Sequence, residues 1–242
     1  MKKNTHSSET EVTMLRAFAA AWPICLGYLA IGMAFGVLAR QAGLAIYQIA
    51  LMSCIVFAGS AQFIAVSMIS SGASVLSIII TTFMVNLRHL LMSSSLSLHL
   101  KGKNKLVLSI FSYGVTDESF AVNLGKFLDG AWTIKDALVV NHVANVSWII
   151  STIFGGYAGQ FIPAGAFGID YALTGMFLCL LVFQLRGRLY VLVSVVAGIA
   201  SVVFYLTIPG NAYVILASAL AATIGVALKS RYLHDKKQQE EV

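Results

Sequence analysis

Long apolar segments separated by short polar connections dominate the pattern of this chain. Most are close to the length of about 20 residues that a helix needs to cross a hydrocarbon core of about 30 Å. None alternates apolar and polar residues over about 10 positions, as a strand of a membrane barrel does. The eight segments cover residues 17–38, 45–69, 75–98, 106–127, 137–159, 171–185, 189–208 and 212–228. The pattern predicts an all-α, polytopic membrane helical bundle with six to eight membrane segments.

The composition excludes an ordinary soluble fold. Hydrophobic residues make up 58% of the 242 residues and charged residues only 11%, whereas a soluble domain carries about 25% charged residues. The connections are too short for a second domain, so we predict one transmembrane domain over residues 17–228. Cytoplasmic tails over residues 1–16 and 229–242 flank it. The first apolar segment is longer than a signal-peptide core and is expected to remain as a membrane helix.

The net charge of +6 comes from basic clusters between the apolar segments. This distribution favours helix orientation over nucleic-acid binding. The clusters are Lys2, Lys3 and Arg16; Lys101, Lys103 and Lys105; Arg186 and Arg188; and Lys229, Arg231, Lys236 and Lys237. The positive-inside rule places all four in the cytoplasm, which predicts a multi-pass protein of the cell inner membrane with both termini cytoplasmic. Six crossings plus two re-entrant segments satisfy that rule, whereas eight full crossings put the second cluster outside.

The second and fourth segments each contain a sequence that favours a helix break. Gly59 is followed by Ser60, and Gly114 is followed two residues later by Thr116. Glycine costs about 1 kcal/mol in a helix interior, and Ser or Thr can cap a helix that restarts. One hypothesis is that both segments are broken or re-entrant and enter from opposite sides, as in the inverted repeats of secondary transporters. Eight plain spans are the alternative.

Three ionisable residues lie well inside apolar segments: Arg88, Asp117 and Glu118. A charge at the bilayer centre costs about 2.5 to 3.5 kcal/mol on insertion scales, so these side chains must face protein, water or substrate. A helix start at Thr116 would place both carboxylates in a first turn, whose free N–H groups favour negative charge. Two interpretations follow: an ion pair that locks helices together, or a site that binds a substrate amine or carries a proton.

Neighbouring polar residues extend this candidate site. His89 is either a packing residue or a proton relay, because histidine titrates near neutrality. The full set of substrate-binding or proton-coupling candidates is Asp117, Glu118, Thr116, Arg88, His89, Asn86, Ser60 and Gln62, with Gly59 and Gly114 as helix-break candidates.

Two further patterns indicate helix packing. Asn141, Asn145 and Trp148 share one helix face beside His142, which favours hydrogen bonds between helices over a substrate site. Two G-x-x-x-G pairs, Gly32 with Gly36 and Gly155 with Gly159, allow backbones to approach closely.

The sequence contains none of the common enzyme motifs, namely a Walker loop, a dinucleotide fingerprint, H-E-x-x-H or G-x-S-x-G. Cys25, Cys54 and Cys179 all lie within apolar segments, which favours plain packing over a disulfide or a metal site. We therefore expect a protein that is not an enzyme and that needs no cofactor or metal.

Four ordered stretches carry a resemblance to a known family. They are Pro23 with Gly27 and Ala34-Phe35-Gly36; Phe57-Ala58-Gly59-Ser60-Ala61-Gln62-Phe63; Asn86-Leu87-Arg88-His89; and Gly114-Val115-Thr116-Asp117-Glu118. In order and spacing the chain resembles the AzlC family of branched-chain amino acid permeases through about Gly159, and beyond that in hydropathy alone.

The resemblance implies export of valine, leucine or isoleucine by the large subunit of a two-component exporter, beside a small membrane protein of the AzlD kind. Proton-coupled secondary transport is the mechanism expected from the buried ionisable residues. The expected partners are the lipid bilayer, a small amino acid and that subunit, with no nucleic acid. The alternative function is a non-transporting membrane assembly or sensor subunit, in which the charges only hold a complex together.

Overall fold

A computed structural model describes residues 5–130, 132–163, 168, 171, 174–175, 178–179, 181–182, 185, 187–207, 216–217 and 219–230. All regular elements within these residues are helices. They are α1 (Thr5–Gln41), α2 (Ile46–Ile55), α3 (Gly59–Ser70), α4 (Val75–Ser97), α5 (Lys105–Tyr113), α6 (Asp117–Leu128), α7 (Ile134–Ala158), α8 (Arg188–Thr207) and α9 (Ala219–Ser230). The predicted all-α membrane bundle is confirmed.

Four of these helices are long and apolar enough to cross a membrane: Met14–Gln41 within α1, and the whole of α4, α7 and α8. Apolar side chains on one face of α1 are exposed at helical spacing, among them Phe18, Trp22, Leu26, Leu29 and Met33. A continuous apolar stripe that is exposed among the described residues of its own unit is suited to lipid contact. Most of the predicted segment 171–185 and part of 212–228 lie outside the described residues.

The first 173 residues form one compact unit, in which α1 and α7 are the main contact. The contacts between the two helices occur in the same order along both helices. Arg16 Nε donates to Asp136 Oδ1 at 2.9 Å, and Ser147 Oγ donates to the Cys25 carbonyl oxygen at 3.3 Å. Further along, Val37 lies against Gly159. The helices are therefore parallel, and α1 begins twelve residues before the apolar segment that predicts it.

The two G-x-x-x-G pairs lie in this interface and face each other. A Cβ atom added to Gly36 would lie 2.6 Å from the Gly156 backbone nitrogen, and one added to Gly155 would lie 2.8 Å from the Met33 carbonyl carbon. Real Cβ atoms do not approach backbone this closely, so only hydrogen fits at either position. The predicted packing role of both pairs is confirmed, and the contact is within the chain.

The first broken segment folds back on itself as a hairpin of α2 and α3. Ser53 on α2 hydrogen-bonds to Thr152 at 2.8 Å, and Gln62 on α3 donates to Ser53 at 3.3 Å. A straight helix would separate positions nine residues apart by about 13 Å. The arms therefore lie side by side, and the hairpin opens toward the end of the bundle where α1 ends.

The second broken segment, α5 with α6, forms a hairpin of opposite direction. Asn141 on α7 donates to the Phe111 carbonyl oxygen on α5 at 3.1 Å and accepts from Asn123 on α6 at 2.9 Å. In a straight helix Phe111 and Asn123 would be about 18 Å apart. Trp132, which follows α6, donates to Asn123 at 3.0 Å and lies 5.6 Å from the Arg16 guanidinium. This hairpin therefore opens at the end where α1 and α7 begin.

The chain thus contains two copies of a crossing helix followed by a hairpin, and the two copies have opposite orientations. The end of α4 packs near the start of α7, where Leu96 and Leu100 share a cluster with Ala137. α4 therefore runs antiparallel to α1 and α7. As a result, α1 with the α2–α3 hairpin and α4 with the α5–α6 hairpin are related as an inverted repeat. This agrees with the predicted re-entrant arrangement rather than with uninterrupted second and fourth spans.

Basic residues are distributed unequally between the two ends of this unit. At the end where α1 and α7 begin lie Arg16, Lys101, Lys103, Lys105, Lys126 and Lys135, whereas the opposite end has Arg40. Such an imbalance is the usual determinant of membrane orientation.

The second compact unit, Thr174–Val242, contains α8 and α9. A Cβ atom added to Gly225 would lie 3.2 Å from the Val193 side chain, so these two helices pack together. Apolar side chains such as Leu192, Ile199 and Val203 on α8 are exposed. The single permease domain over residues 17–228 stays a prediction.

Candidate functional site

The tips of the two hairpins meet near the middle of the long helices. Tyr28 and Trp148 lie near the midpoints of the α1 and α7 spans and are 5.2 Å apart between ring centroids. Phe57, between α2 and α3, lies 6.4 Å from the Tyr28 ring and 6.0 Å from that of Tyr113, the last residue of α5. The Tyr113 hydroxyl donates to the Cys54 carbonyl oxygen and so joins the two tips.

Arg88 connects the middle of α4 to both hairpins. Its Nη1 lies 2.8 Å from Asp117 Oδ2, and its Nη2 donates to Ser60 Oγ. The side chains of Arg88 and Asp117 are 28% and 20% exposed, so water screens the pair only in part. Arg88 Nε is buried and has no hydrogen-bond partner among the residues that the structure describes. The Arg88 guanidinium thus binds the Asp117 carboxylate of the second repeat and the Ser60 hydroxyl of the first, and its Nε–H remains available as a donor.

Glu118 faces α1 rather than α4. Its Oε2 lies 2.8 Å from the Tyr28 hydroxyl, and the same hydroxyl lies 2.8 Å from Thr116 Oγ1. Thr116 also caps α6, because its Oγ1 accepts from the Ser119 backbone N–H. The predicted helix start after Thr116 is present, and it directs the two adjacent carboxylates to different partners.

His89 and Asn86 supply unpaired polar atoms on the same helix as Arg88. His89 Nδ1 lies 2.9 Å from the carbonyl oxygen of Val115, at the tip of the second hairpin. Within the described part of the chain, His89 Nε2 and Asn86 Oδ1 are buried without a hydrogen-bond partner. Buried polar atoms are paired in the great majority of cases, so three unpaired ones on one turn of α4 indicate a place for a polar ligand or water.

Gln62 lies apart from the charged residues. It is fully buried, accepts from Trp148 Nε1 at 3.0 Å and donates to Ser53. The amide thus joins α2, α3 and α7 within the first hairpin. Of the eight predicted site residues, contacts bring six together around Arg88 and the α6 start, Asn86 lies within one turn of Arg88 on α4, and Gln62 lies in the neighbouring packing layer.

Both helix-break glycines lie against α7. A Cβ on Gly59 would lie 3.0 Å from Trp148 Cη2, and a Cβ on Gly114 would lie 2.6 Å from Asn141 Cβ. Neither glycine has a positive φ, so close approach rather than backbone freedom requires glycine here. The strained residue is Phe57, with φ of 41°. A non-glycine residue in this region costs about 1–3 kcal/mol and is typical of functional sites.

The capping expectation for Ser60 is wrong. α3 begins at Gly59 with Ala58 as its N-cap, which offers no side-chain acceptor. Ser60 is the second residue of the helix, and its hydroxyl accepts from Arg88. The cation on α4 therefore draws this side chain away from its own backbone.

The predicted interhelical role of the α7 stripe is present in the contacts. Asn145 Nδ2 donates to Tyr113 Oη at 3.3 Å, whereas His142 is exposed and hydrogen-bonds to its own helix. Replacing Asn141 with leucine should leave the Asn123 Nδ2 group unpaired and remove one of the two donors to the Phe111 carbonyl oxygen, and should lower the free energy of unfolding by about 1–2 kcal/mol. Denaturation of the purified protein in bicelles measures this value. His142→Leu, one residue away, is the matched control and should change it little; equal effects would contradict the bridging role.

Sequence reasoning missed two contacts. Tyr28 carries no charge, so nothing in the pattern links it to the acids. The sequence pattern does not single out the fully buried Asp136, because the predicted apolar segment begins at residue 137, whereas α7 starts at Ile134. Asp136 pairs with Arg16 and accepts from Thr133, and the T-x-x-D order before an apolar run was the available signal.

The described residues contain no group of three or more His, Cys, Asp or Glu side chains placed to hold a metal ion. Cys25, Cys54 and Cys179 are free thiols. The chemistry of the central site is therefore that of one guanidinium, two carboxylates, an imidazole and hydroxyl groups.

Comparison with known proteins identifies the family. The sequence profile described as AzlC protein matches residues 23–162, which include both hairpins and the central charged residues. The chain belongs to the AzlC family. The AzlC-family match also includes α1 from Pro23 onward and the whole of α7, the parallel pair that frames the site.

Relatives of this AzlC-family protein resemble it over most of their length. It is 28% identical over 234 residues to the branched-chain amino acid transport protein AzlC of Bacillus subtilis, covering 92% of this chain and 88% of the relative. It is 26% identical to the inner membrane protein YgaZ of Escherichia coli, covering 80% and 82%, and 30% identical to a membrane protein of Helicobacter pylori, covering 90% and 97%. No solved structure matches the chain. The protein is a membrane transport protein that lies in a lipid bilayer and carries a small substrate.

Proposed function

We propose that this protein exports branched-chain amino acids, namely valine, leucine and isoleucine, by proton-coupled secondary transport. The observation that carries the proposal is the cluster of opposite charges between two oppositely directed hairpin tips at mid-span. Sites of this kind occur in secondary transporters built from inverted repeats. A relative described as a branched-chain amino acid transport protein supports the choice of substrate.

The groups in the cluster fit the two ends of an amino acid. Glu118 provides a carboxylate for the substrate ammonium group. Arg88 Nε provides an unpaired donor for the substrate carboxylate, near the start of α3, where the N-cap residue provides no side-chain acceptor. The rings of Phe57 and Trp148 both contact Tyr28 and are buried, so a branched side chain would reach them only when the hairpin tips separate. Asn86 and His89 offer the remaining unpaired polar atoms.

The complete transporter is proposed to include a small membrane subunit of the AzlD kind. α4 supports this, because Ile79, Ile80, Phe83, Leu90 and Leu91 on it are exposed. We place the protein in the cell inner membrane with the Arg16 end of the bundle and both termini in the cytoplasm. Residues 17–228 would then form the permease domain between short tails.

Reconstitution tests the function directly. The protein and its small partner, placed together in liposomes, should move radiolabelled leucine or valine in response to a pH gradient. Cells that lack the protein should also become more sensitive to valine-containing peptides. A folded complex that moves neither amino acid would instead favour the assembly or sensor function.

Impermeant thiol labelling tests the orientation. In a chain with all three cysteines replaced by serine, Ser71→Cys lies at the end of α3 and Lys103→Cys lies between α4 and α5. Intact cells should label the Ser71→Cys protein fully, and should label the Lys103→Cys protein only after permeabilisation. Labelling of both from outside would contradict the opposed hairpins, whereas exchange of the two patterns would contradict only the cytoplasmic assignment.

A further inference from the structure

The two adjacent acids of α6 lie in unequal surroundings. Asp117 is paired with Arg88 at 2.8 Å. Glu118 accepts from the neutral Tyr28 hydroxyl, and no Lys or Arg in the described part of the chain pairs with it. A proton on Asp117 would leave Arg88 without its counter-charge, and an unpaired charge in a poorly hydrated site is costly. A proton on Glu118 removes a charge that no cation balances.

The hydrogen bonds around Glu118 suit both of its protonation states. Tyr28 Oη lies 2.8 Å from Glu118 Oε2 and 2.8 Å from Thr116 Oγ1, but the phenol has only one proton. When Glu118 is ionised, Tyr28 donates to it and accepts from Thr116. When Glu118 is protonated, it donates to Tyr28, which donates to Thr116, whose own proton turns to Ser119 Oγ at 3.4 Å. Rotation of hydroxyl groups alone therefore accommodates a proton.

The charges of the neighbouring helices give the site a net charge of −1 when Glu118 is ionised. α1 contributes Tyr28, α4 contributes Arg88 and His89, and α6 itself contributes Asp117. α7 contributes no ionisable side chain at this height among the described residues, because Asn145 and Trp148 face the site there. A proton on Glu118 neutralises the cluster, whereas a zwitterionic amino acid places its ammonium group beside Glu118 and leaves the net charge at −1.

We propose that Glu118 is the proton-coupling residue, and that a proton and the substrate ammonium group compete for its carboxylate. A proton from water on one side of the membrane adds to Glu118 and gives a neutral carboxyl group. When the substrate arrives, Glu118 releases that proton to water. The site therefore holds either a proton or an amino acid, and not both, each time it changes the side to which it opens. Asp117 stays ionised throughout and positions Arg88. This inference rests on the proposed transport function.

Two transport assays on Glu118→Gln test the assignment in liposomes that contain the protein and its partner. With saturating leucine on both sides, exchange of labelled leucine should be slower than in the wild type but detectable, because a neutral amide accepts from an ammonium group more weakly than a carboxylate does, and its rate should no longer change with pH. Accumulation driven by a pH gradient should fall to the level of protein-free liposomes. Asp129→Asn, an exposed acid that ends α6, is the matched control and should retain both activities.

Accumulation by Glu118→Gln under a pH gradient would overturn the assignment, as would wild-type leucine transport that ignores the gradient. Absence of any wild-type leucine flux would instead overturn the proposed function. Should Glu118→Gln fail to fold, Tyr28→Phe takes its place, because it removes the hydroxyl that switches between the two acceptors. Tyr28→Phe should keep exchange and lose pH-driven accumulation, and retained accumulation would overturn the proposal.

Discussion

Neutralising either member of the Arg88–Asp117 pair is expected to abolish transport and to destabilise the protein. Arg88→Met leaves Asp117 as an unpaired negative charge, and Asp117→Asn leaves Arg88 as an unpaired positive charge. Breaking a buried pair costs about 3–5 kcal/mol, and partial exposure of both side chains reduces the expected loss to about 2–3 kcal/mol. Chemical denaturation in bicelles and leucine flux in liposomes measure the two effects.

The double variant separates stability from function. Arg88→Met with Asp117→Asn removes both charges of the pair and leaves neither partner unpaired, so its free energy of unfolding should return to within about 1 kcal/mol of the wild type. Transport should remain absent, because the donor for the substrate carboxylate is gone. Arg40→Met is the control, since among the described residues Arg40 donates only to the Leu44 carbonyl oxygen, at 3.3 Å. A double variant as unstable as the two single changes combined would show that the pair is not the source of the loss.

Gly36→Ala is expected to prevent the close contact of α1 with α7. The new Cβ would overlap the Thr152 carbonyl oxygen and lie 2.8 Å from the Gly155 carbonyl carbon, and neither backbone atom can move without separating the helices. Overpacking typically costs 1–3 kcal/mol, and we expect about 3 kcal/mol or more here because backbone is the obstacle. The folded fraction after purification and the unfolding transition report the loss.

Gly27→Ala provides the matched control on the same helix. A Cβ at Gly27 has no neighbour within 4 Å, and alanine is favoured over glycine by about 1 kcal/mol in a helix interior. This variant should be as stable as the wild type or more stable. Similar losses for both variants would mean that general helix properties, rather than the glycine interface, determine the result.

Several features of the fold were predictable because their cause is local. Apolar length predicts the crossing helices, and the order of glycine and threonine before Asp117 predicts the start of α6. The cost of a buried charge singles out Arg88, Asp117 and Glu118 without any structure. The basic residues predict the re-entrant pair, because only hairpins keep Lys101 to Lys105 on the side of Arg16.

Other features depend on contacts between distant residues. The pattern offers no reason for Tyr28 to lie against Glu118, ninety residues away. It leaves open which acid Arg88 pairs with, since that choice depends on the direction of α6 relative to α4. Ser60 fits a helix cap by residue type and position, but in the structure its hydroxyl accepts from Arg88 instead. The roles of the helix-break glycines follow from the proximity of α7, which no local pattern contains.

The parallel contact of α1 with α7 also constrains biosynthesis. Contacting positions such as Arg16 and Asp136 are 120 residues apart, so at about 5–20 residues per second α7 leaves the ribosome roughly 6–24 seconds after the matching part of α1. During that interval the glycine face of α1 has no partner from its own chain. The nascent protein must therefore persist in the bilayer with this face uncovered, which is the period when quality-control proteases have access to it.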